Sequence, residues 1–214
     1  RAAVSKAVAA LRQEGYDISG RTNRGYRLES GPDQITEGAI RPFLHTDIVG
    51  KELFCFPTID STNRFLKERA MDGLASGAAA VANQQTAGRG RLGRTFLSPR
   101  DRGIYLSVLL RPRVDPARAA NITACVAVAV CDGIEDACGV RPAIKWTNDL
   151  LLGGRKICGI LTEMGVEGET GVLQYLVTGI GVNANHTLDE FPPELRNVAG
   201  SIAMALGRPV SRAK

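Results

Sequence analysis

Metal-binding and disulfide chemistry are thinly supplied in this sequence. Its five cysteines, at 55, 125, 131, 138 and 158, are odd in number and nowhere form a CxxC pair, and only His45 and His186 could help complete a metal site. The pattern fits reduced, mostly buried thiols in a cytosolic protein. No run of about 18 apolar residues occurs, because the alanine-rich stretch from Ala119 to Val130 is short and flanked by polar residues, so no membrane-spanning helix is expected. A signal-peptide core is missing as well: residues 1–12 carry charges, and the chain starts at Arg1 rather than Met, which reads as an internal fragment with sequence upstream. Nor is there an internal repeat.

What remains is ordinary globular material. The 214 residues, 44% hydrophobic and 23% charged, suffice for one substantial core plus a small appendage. A formal charge of +5 suits phosphate-bearing partners without choosing between a nucleotide and a nucleic acid. Val4, Val8 and Leu11 fall on one helical face, so residues 1–13 read as a helix that Gly15 ends in a left-handed cap. Tyr16–Ile18 and Tyr26–Leu28 are short β-prone pieces around Gly20, Arg21, Thr22, Asn23, Arg24 and Gly25, which suggests a hairpin with a basic tip. Helix plus basic hairpin is the second half of a winged helix-turn-helix. Arg1, Lys6, Arg12, Arg21, Arg24 and Arg27 outnumber Glu14, Asp17 and Glu29 there, either to contact phosphates or as a solvated basic face. Ser30, Gly31, Pro32 and Asp33 make a linker.

The main domain alternates strand-like and helical pieces. Ala78–Asn83, Ile104–Leu110, Ala143–Trp146, Lys156–Glu163 and Tyr175–Val182 read as strands and Pro116–Ala137 as a helix. The expected class is α+β, a mixed and largely antiparallel sheet with packed helices. Asp60, Ser61, Thr62 and Asn63 precede Phe65, Leu66 and Ala70, forming a helix N-terminus that serves either as plain capping or as a seat for an anion or polar ring. Gly88, Gly90 and Gly93 satisfy GxGxxG, and Gly88–Thr95 approaches GxxxxGK[ST] with Arg94 in place of lysine. Both nucleotide-fold readings require a helix to begin at the glycines, and Pro99 interrupts one. The three glycines and the interleaved Arg89, Arg91 and Arg94 instead suit a flexible loop whose guanidinium forks close around phosphate oxygens. Lys145, Trp146, Thr147, Asn148 and Asp149 end a strand, and Gly153, Gly154, Arg155 and Lys156 turn into the next, a hairpin expected to present Lys145 and Lys156 from its two arms. If loop and hairpin converge, cations surround a site where two anions can meet, such as a carboxylate and the α-phosphate of ATP.

These residues resemble the successive signatures of biotin protein ligases: Asp60-Ser-Thr-Asn63, Gln85-Thr-Ala-Gly-Arg-Gly-Arg-Leu-Gly-Arg94, Lys145-Trp-Thr-Asn-Asp149, Lys156-Ile-Cys-Gly-Ile-Leu-Thr-Glu163 and Gly179-Ile-Gly-Val-Asn183. Arg1–Leu28 resembles the recognition helix and wing of the bifunctional members that also repress biotin synthesis genes. The resemblance implies residues 1–30 as a partial winged helix-turn-helix, 31–205 as a catalytic domain of the class II aminoacyl-tRNA synthetase-like type, and 206–214 as the start of a further C-terminal domain. It implies biotin held by Ser61, Thr62, Asn63, Gln85, Arg89, Gly90, Arg91 and Lys156, with Lys156, Arg89 and Arg91 as catalytic groups. Arg91, Arg94, Lys145, Asn148 and Asp149 would serve ATP, and Asp149 would organise Mg²⁺. Biotinyl-5′-AMP would then be attacked by a lysine of a biotin carboxyl carrier protein, in a cytoplasmic enzyme that the family suggests is a homodimer. Thr147 stands where the family commonly has proline, and Phe96 where it commonly has tryptophan. DNA binding is not expected of a recognition helix without the two helices that precede it in the family. Two rival readings stay open: a lipoate ligase or octanoyl transferase, and a DNA-binding biotin sensor without transfer activity.

Overall fold

A computed structural model describes residues 2–13, 15–21 and 24–214. The chain divides into two compact units, Arg1–Gln34 and Ile35–Lys214. In the first, helix α1 (Ala2–Gln13) leads into an antiparallel hairpin of β1 (Asp17–Arg21) and β2 (Gly25–Ser30). Gly15, at φ 93, ends the helix as expected, its N–H bonding the Arg12 carbonyl at 3.1 Å. The strands run further toward the tip than the turn-rich composition suggests, since Gly20 and Arg21 pair with Tyr26 and Gly25. Of the apolar helical stripe, Val8 is buried with Ile18, while Val4 and Leu11 stay exposed. Thr22 and Asn23 of the expected tip, and Arg1 and Glu14 of the expected charged face, lie outside the described residues.

The second unit begins with a single helical turn, α2 (Glu37–Ile40), capped by Thr36. Its sheet contains β3 (Leu53–Phe56), β4 (Ala79–Ala82), β5 (Ile104–Leu110), β6 (Ala143–Lys145), β7 (Asp149–Leu152), β8 (Arg155–Val166) and β9 (Leu173–Val182). They lie in the order β3-β4-β5-β9-β8-β7-β6, and every neighbouring pair is antiparallel except β3 with β4. The mixed, mainly antiparallel α+β architecture is thus the expected one. Helix α3 (Thr62–Met71) covers one face, packing Leu66 and Ala70 on Leu109, Tyr175 and Val177. Helix α4 (Ala119–Cys138) covers the other, packing Ala127, Cys131 and Ile134 on Cys158, Ile160 and Val182. Because successive strand residues point to opposite faces, β9 serves both cores at once. Each fully buried Leu contributes about 1.5–3 kcal/mol relative to exposure.

Three local expectations are corrected. Residues Pro116–Arg118 form a separate 3-10 turn ahead of α4, which ends at Gly139 with φ 77. Strand β3, whose four residues Leu53–Phe56 show no alternation, was not anticipated. Lys145 does not lie on an arm of the Gly153-Gly154 hairpin: that hairpin joins β7 to β8, and Lys145 ends β6, one strand further out and paired with Asp149. The physical cause is the short turn at residues 146–148, which makes Asp149 the start of a new strand. Residues after α5 (Ile202–Leu206) pack on the same unit, with Val210 in the α4-side core and Arg212 buried.

Candidate active site

A pocket opens where β9 runs out of side chains. Tyr175 and Val177 fill the α3 face of that strand, but the next two residues on the same face are Gly179 and Gly181. Their neighbours in register are Ser107 and Tyr105 on β5 and Leu161 and Gly159 on β8, so the small residues Ser107, Gly179, Gly181 and Gly159 come together from three strands. A Cβ at Gly179 would run into the Asn63 side chain, and one at Gly181 would come within 2.5 Å of the Phe96 ring. Glycine is therefore required at both places by close approach of another group.

One end of the pocket is a hydrogen-bonded polar wall built on the start of α3. Ser61 caps that helix, its hydroxyl accepting from the Arg64 N–H, and Ser61, Thr62 and Asn63 are all buried. The Thr62 N–H and hydroxyl both donate to Gln85 Oε1, at 2.9 and 3.0 Å, and Gln85 Nε2 donates to Ser98 Oγ at 3.1 Å. Ser107 Oγ lies 2.7 Å from Thr62 Oγ1 and 2.5 Å from Asn63 Oδ1. Asn63 Nδ2 in turn donates to Glu163 Oε2 at 2.9 Å, and Lys67 Nζ holds the other oxygen, Glu163 Oε1, at 2.7 Å. Burial pushes the Glu163 carboxyl up, but the bonds from Lys67 and Asn63 and the nearby charge of Arg89 outweigh it and hold its pKa below the usual range.

The other end is cationic. Beyond β4 the chain runs out from Gln85 and returns to Ser98, with Arg89 bridging to Thr95 and a 3-10 turn at Arg91–Gly93. Leu92 takes φ 56 and Gly93 φ 72 to make this reversal. Arg91 reaches the turn between β6 and β7, donating to Asn148 Oδ1 at 2.6 Å and Thr147 Oγ1 at 3.3 Å. Arg91 and Asn148 also line a neighbouring hollow of about 360 Å³. Lys156 Nζ stands over Gly159 and pairs with Asp149 Oδ1 at 2.5 Å, an oxygen that also accepts from Asn148 Nδ2 at 3.1 Å.

Nine of the site residues singled out in the sequence thus line one pocket: Ser61, Thr62, Asn63, Gln85, Arg89, Gly90, Arg91, Asn148 and Lys156. Asp149 touches it through Lys156. Arg94 and Lys145 are not among its lining; both are exposed, Arg94 at the end of the 3-10 turn and Lys145 on β6. Sequence reasoning did not single out Ser107 or Lys67. A serine at an inward position of the alternating run Ile104–Leu110 was the available signal for the first, whereas the Lys67–Glu163 pair joins positions 96 residues apart.

A sequence profile described as the biotin/lipoate A/B protein ligase family matches residues 55–183, more than half of the chain. The chain belongs to that family. Among curated relatives in the biotin/lipoate ligase family, the bifunctional ligase/repressor BirA of Bacillus spizizenii is 40% identical over 213 residues, covering 100% of this chain and 65% of that protein. Its Escherichia coli counterpart is 35% identical over 183 residues, 86% of this chain and 55% of the relative. The chain therefore spans just under two thirds of the first relative's length. The solved biotin protein ligase from Aquifex aeolicus in complex with biotin and ATP superposes with a TM-score of 0.64 at 31% identity, covering 76% of this chain and 64% of that one.

Proposed function

We propose that the chain carries the catalytic portion of a biotin protein ligase, which joins biotin to ATP and passes the acyl group to a lysine of a biotin carboxyl carrier protein. The observation that supports it most is the joining, in one pocket of a biotin/lipoate ligase family member, of a neutral hydrogen-bonding end and a cationic end. A cyclic urea offers N–H donors and a carbonyl acceptor to the Thr62, Asn63 and Gln85 wall, and the fused apolar ring and tail lie along the glycine floor. The tail carboxylate then reaches Lys156, where it attacks the α-phosphorus of ATP. A new C–O–P bond forms, the bond to the β-phosphate oxygen breaks, and pyrophosphate leaves. Lys156 and Arg91 offset repulsion between the two anions and the charge that grows on the phosphorus oxygens. In the second step the lysine ε-amine of the carrier attacks the acyl carbon, an amide forms and AMP leaves.

Mg²⁺ bound with ATP supplies further charge neutralisation on the phosphates. A single carboxylate suffices when the nucleotide provides the remaining oxygens, and the Asp149 side chain beside Asn148 and Lys156 fits that donor set. Among the described residues there is no group of three or more His, Cys, Asp or Glu that could hold an ion without the nucleotide. Five free cysteines suit a reducing, cytoplasmic setting, and no helix among the described residues is long and apolar enough to cross a membrane. Similarity to a ligase/repressor over the whole chain favours, in the longer protein, DNA binding through the α1–β1–β2 unit and the homodimer suggested by the family. Pyrophosphate release measured with biotin, lipoate and Lys156→Ala tests the main reading. Biotin-dependent release that falls about 10²- to 10³-fold in the variant supports it. Release with lipoate instead of biotin refutes it.

A further inference from the structure

Asn63 carries an amide whose two ends have opposite chemistry, and the structure decides which end meets the ligand. Two acceptors flank its nitrogen: Glu163 Oε2 at 2.9 Å and the Leu161 carbonyl at 3.4 Å. Turning the amide over would set its oxygen against both, so only the present orientation is compatible with an ionised Glu163. The oxygen then faces Ser107 and the pocket, next to the Gly179 floor. One lone pair serves Ser107, and the second stays available to a ligand N–H. Glu163 itself does not line the pocket.

We propose that Glu163, clamped by Lys67, is a positioning residue: it fixes the Asn63 amide oxygen-inward and so makes the site select a ligand that presents an N–H donor at this point. The inference rests on the reading of the pocket as a biotin site, the cyclic urea supplying the N–H. Lys67 is an essential part of the device. In Glu163→Gln the new side chain turns its oxygen to the Lys67 ammonium, because its own N–H₂ would repel it. That leaves the N–H₂ facing Asn63, and the Asn63 amide turns over to accept from it. The pocket then meets an N–H₂ instead of an oxygen, and the ligand donor loses its partner.

Desolvation of the carboxyl opposes this arrangement, and the Lys67 and Asn63 bonds overcome it, so Glu163 stays ionised below the ordinary carboxylate range. The same logic yields a rescue. In the double variant Asn63→Asp with Glu163→Gln, the introduced glutamine would still accept from Lys67 and would donate to one oxygen of the new aspartate, while the other aspartate oxygen faces the pocket. Net charge is unchanged and the ligand again meets an acceptor.

The test is biotin binding by calorimetry on the wild-type chain, the single variant and the double variant, with a thermal melt of each. The expected result is a Kd about 10- to 100-fold weaker for Glu163→Gln, as for a buried hydrogen-bonding group left unpaired, with most of the loss recovered in the double variant. An unchanged Kd in the single variant, or no recovery in a folded double variant, overturns the proposal. A wild-type chain that does not bind biotin removes the biotin reading as well, so the two failures are distinct. Should Glu163→Gln not fold, Lys67→Met keeps the question open to measurement, using biotin amide so that the ligand tail does not titrate. Loss of its binding on acidification should begin at higher pH than in wild type, and coincident pH profiles overturn the proposal.

Discussion

Replacing Gly179 with alanine tests whether the pocket floor and the polar wall form one rigid unit. The new methyl carbon would collide with Asn63 Oδ1 and lie 2.9 Å from Asn63 Cγ and 3.0 Å from Nδ2. Asn63 cannot retreat, since it is only 5% exposed and held by Ser107 at 2.5 Å and Glu163 at 2.9 Å. If the wall holds, the cost is overpacking, about 1–3 kcal/mol. If it yields, the bond to the Glu163 charge is lost instead, about 1.5–3 kcal/mol. Either route lowers the melting temperature, by roughly 2–12 °C, at about 2–4 °C per kcal/mol for a chain of this size. Biotin affinity should fall with it. Gly168→Ala is the control, because that glycine has nothing within 4 Å and no positive φ, so its melt should show no loss. A Gly179→Ala protein that melts within about 1 °C of wild type and binds biotin normally would falsify the close-packed picture of the site.

Two other perturbations have outcomes set by burial. His186 is 2% exposed and stacks on Phe191 at 5.3 Å, with neither ring nitrogen bonded, and burial depresses its pKa from 6.5 to about 4. A depressed histidine favours the fold above the unfolded pKa and withdraws that support as pH falls from about 6.5 toward 4, so urea titrations should show roughly 2 kcal/mol less stability at pH 5 than at pH 7.5. That loss should largely vanish in His186→Phe; an equal loss in the variant would assign it to other groups. Of the five cysteines only Cys125 is exposed, whereas Cys131 and Cys158 are buried and burial pushes both of those thiols up. A maleimide should label Cys125 first in the native protein and reach Cys131 and Cys158 only on unfolding; early labelling of Cys158 would contradict the packing of α4 on β8.

Much of the site was readable because its chemistry is local. The Ser61 cap shows as a polar cluster before an apolar helical stripe, and the reversal at Leu92 and Gly93 shows as glycine spaced among arginines where no helix can follow. What escaped depends on neighbours across the sheet. Nothing near Lys145 says that the next three residues turn and make Asp149 the first residue of another strand, so the Asp149–Lys156 ion pair could not be read from spacing. The register that sets Ser107 against Gly179 arises from pairing β5 with β9, some 70 residues apart. Strand β3 escaped because a short apolar run has no period to separate it from a buried helix.

The loop over the pocket is fastened lightly. Leu92 at its tip is 90% exposed and adds no packing, so Arg91, bonded to Asn148 and Thr147 at the surface, supplies its side-chain latch. Exposed bonds of that kind hold with about 1–2 kcal/mol together, which leaves the latch undone for a few to roughly 15% of the time. Loop motions run in nanoseconds to microseconds. The latch therefore opens and recloses on that timescale, and each opening frees Arg91, which also lines the pocket, from Asn148 and Thr147.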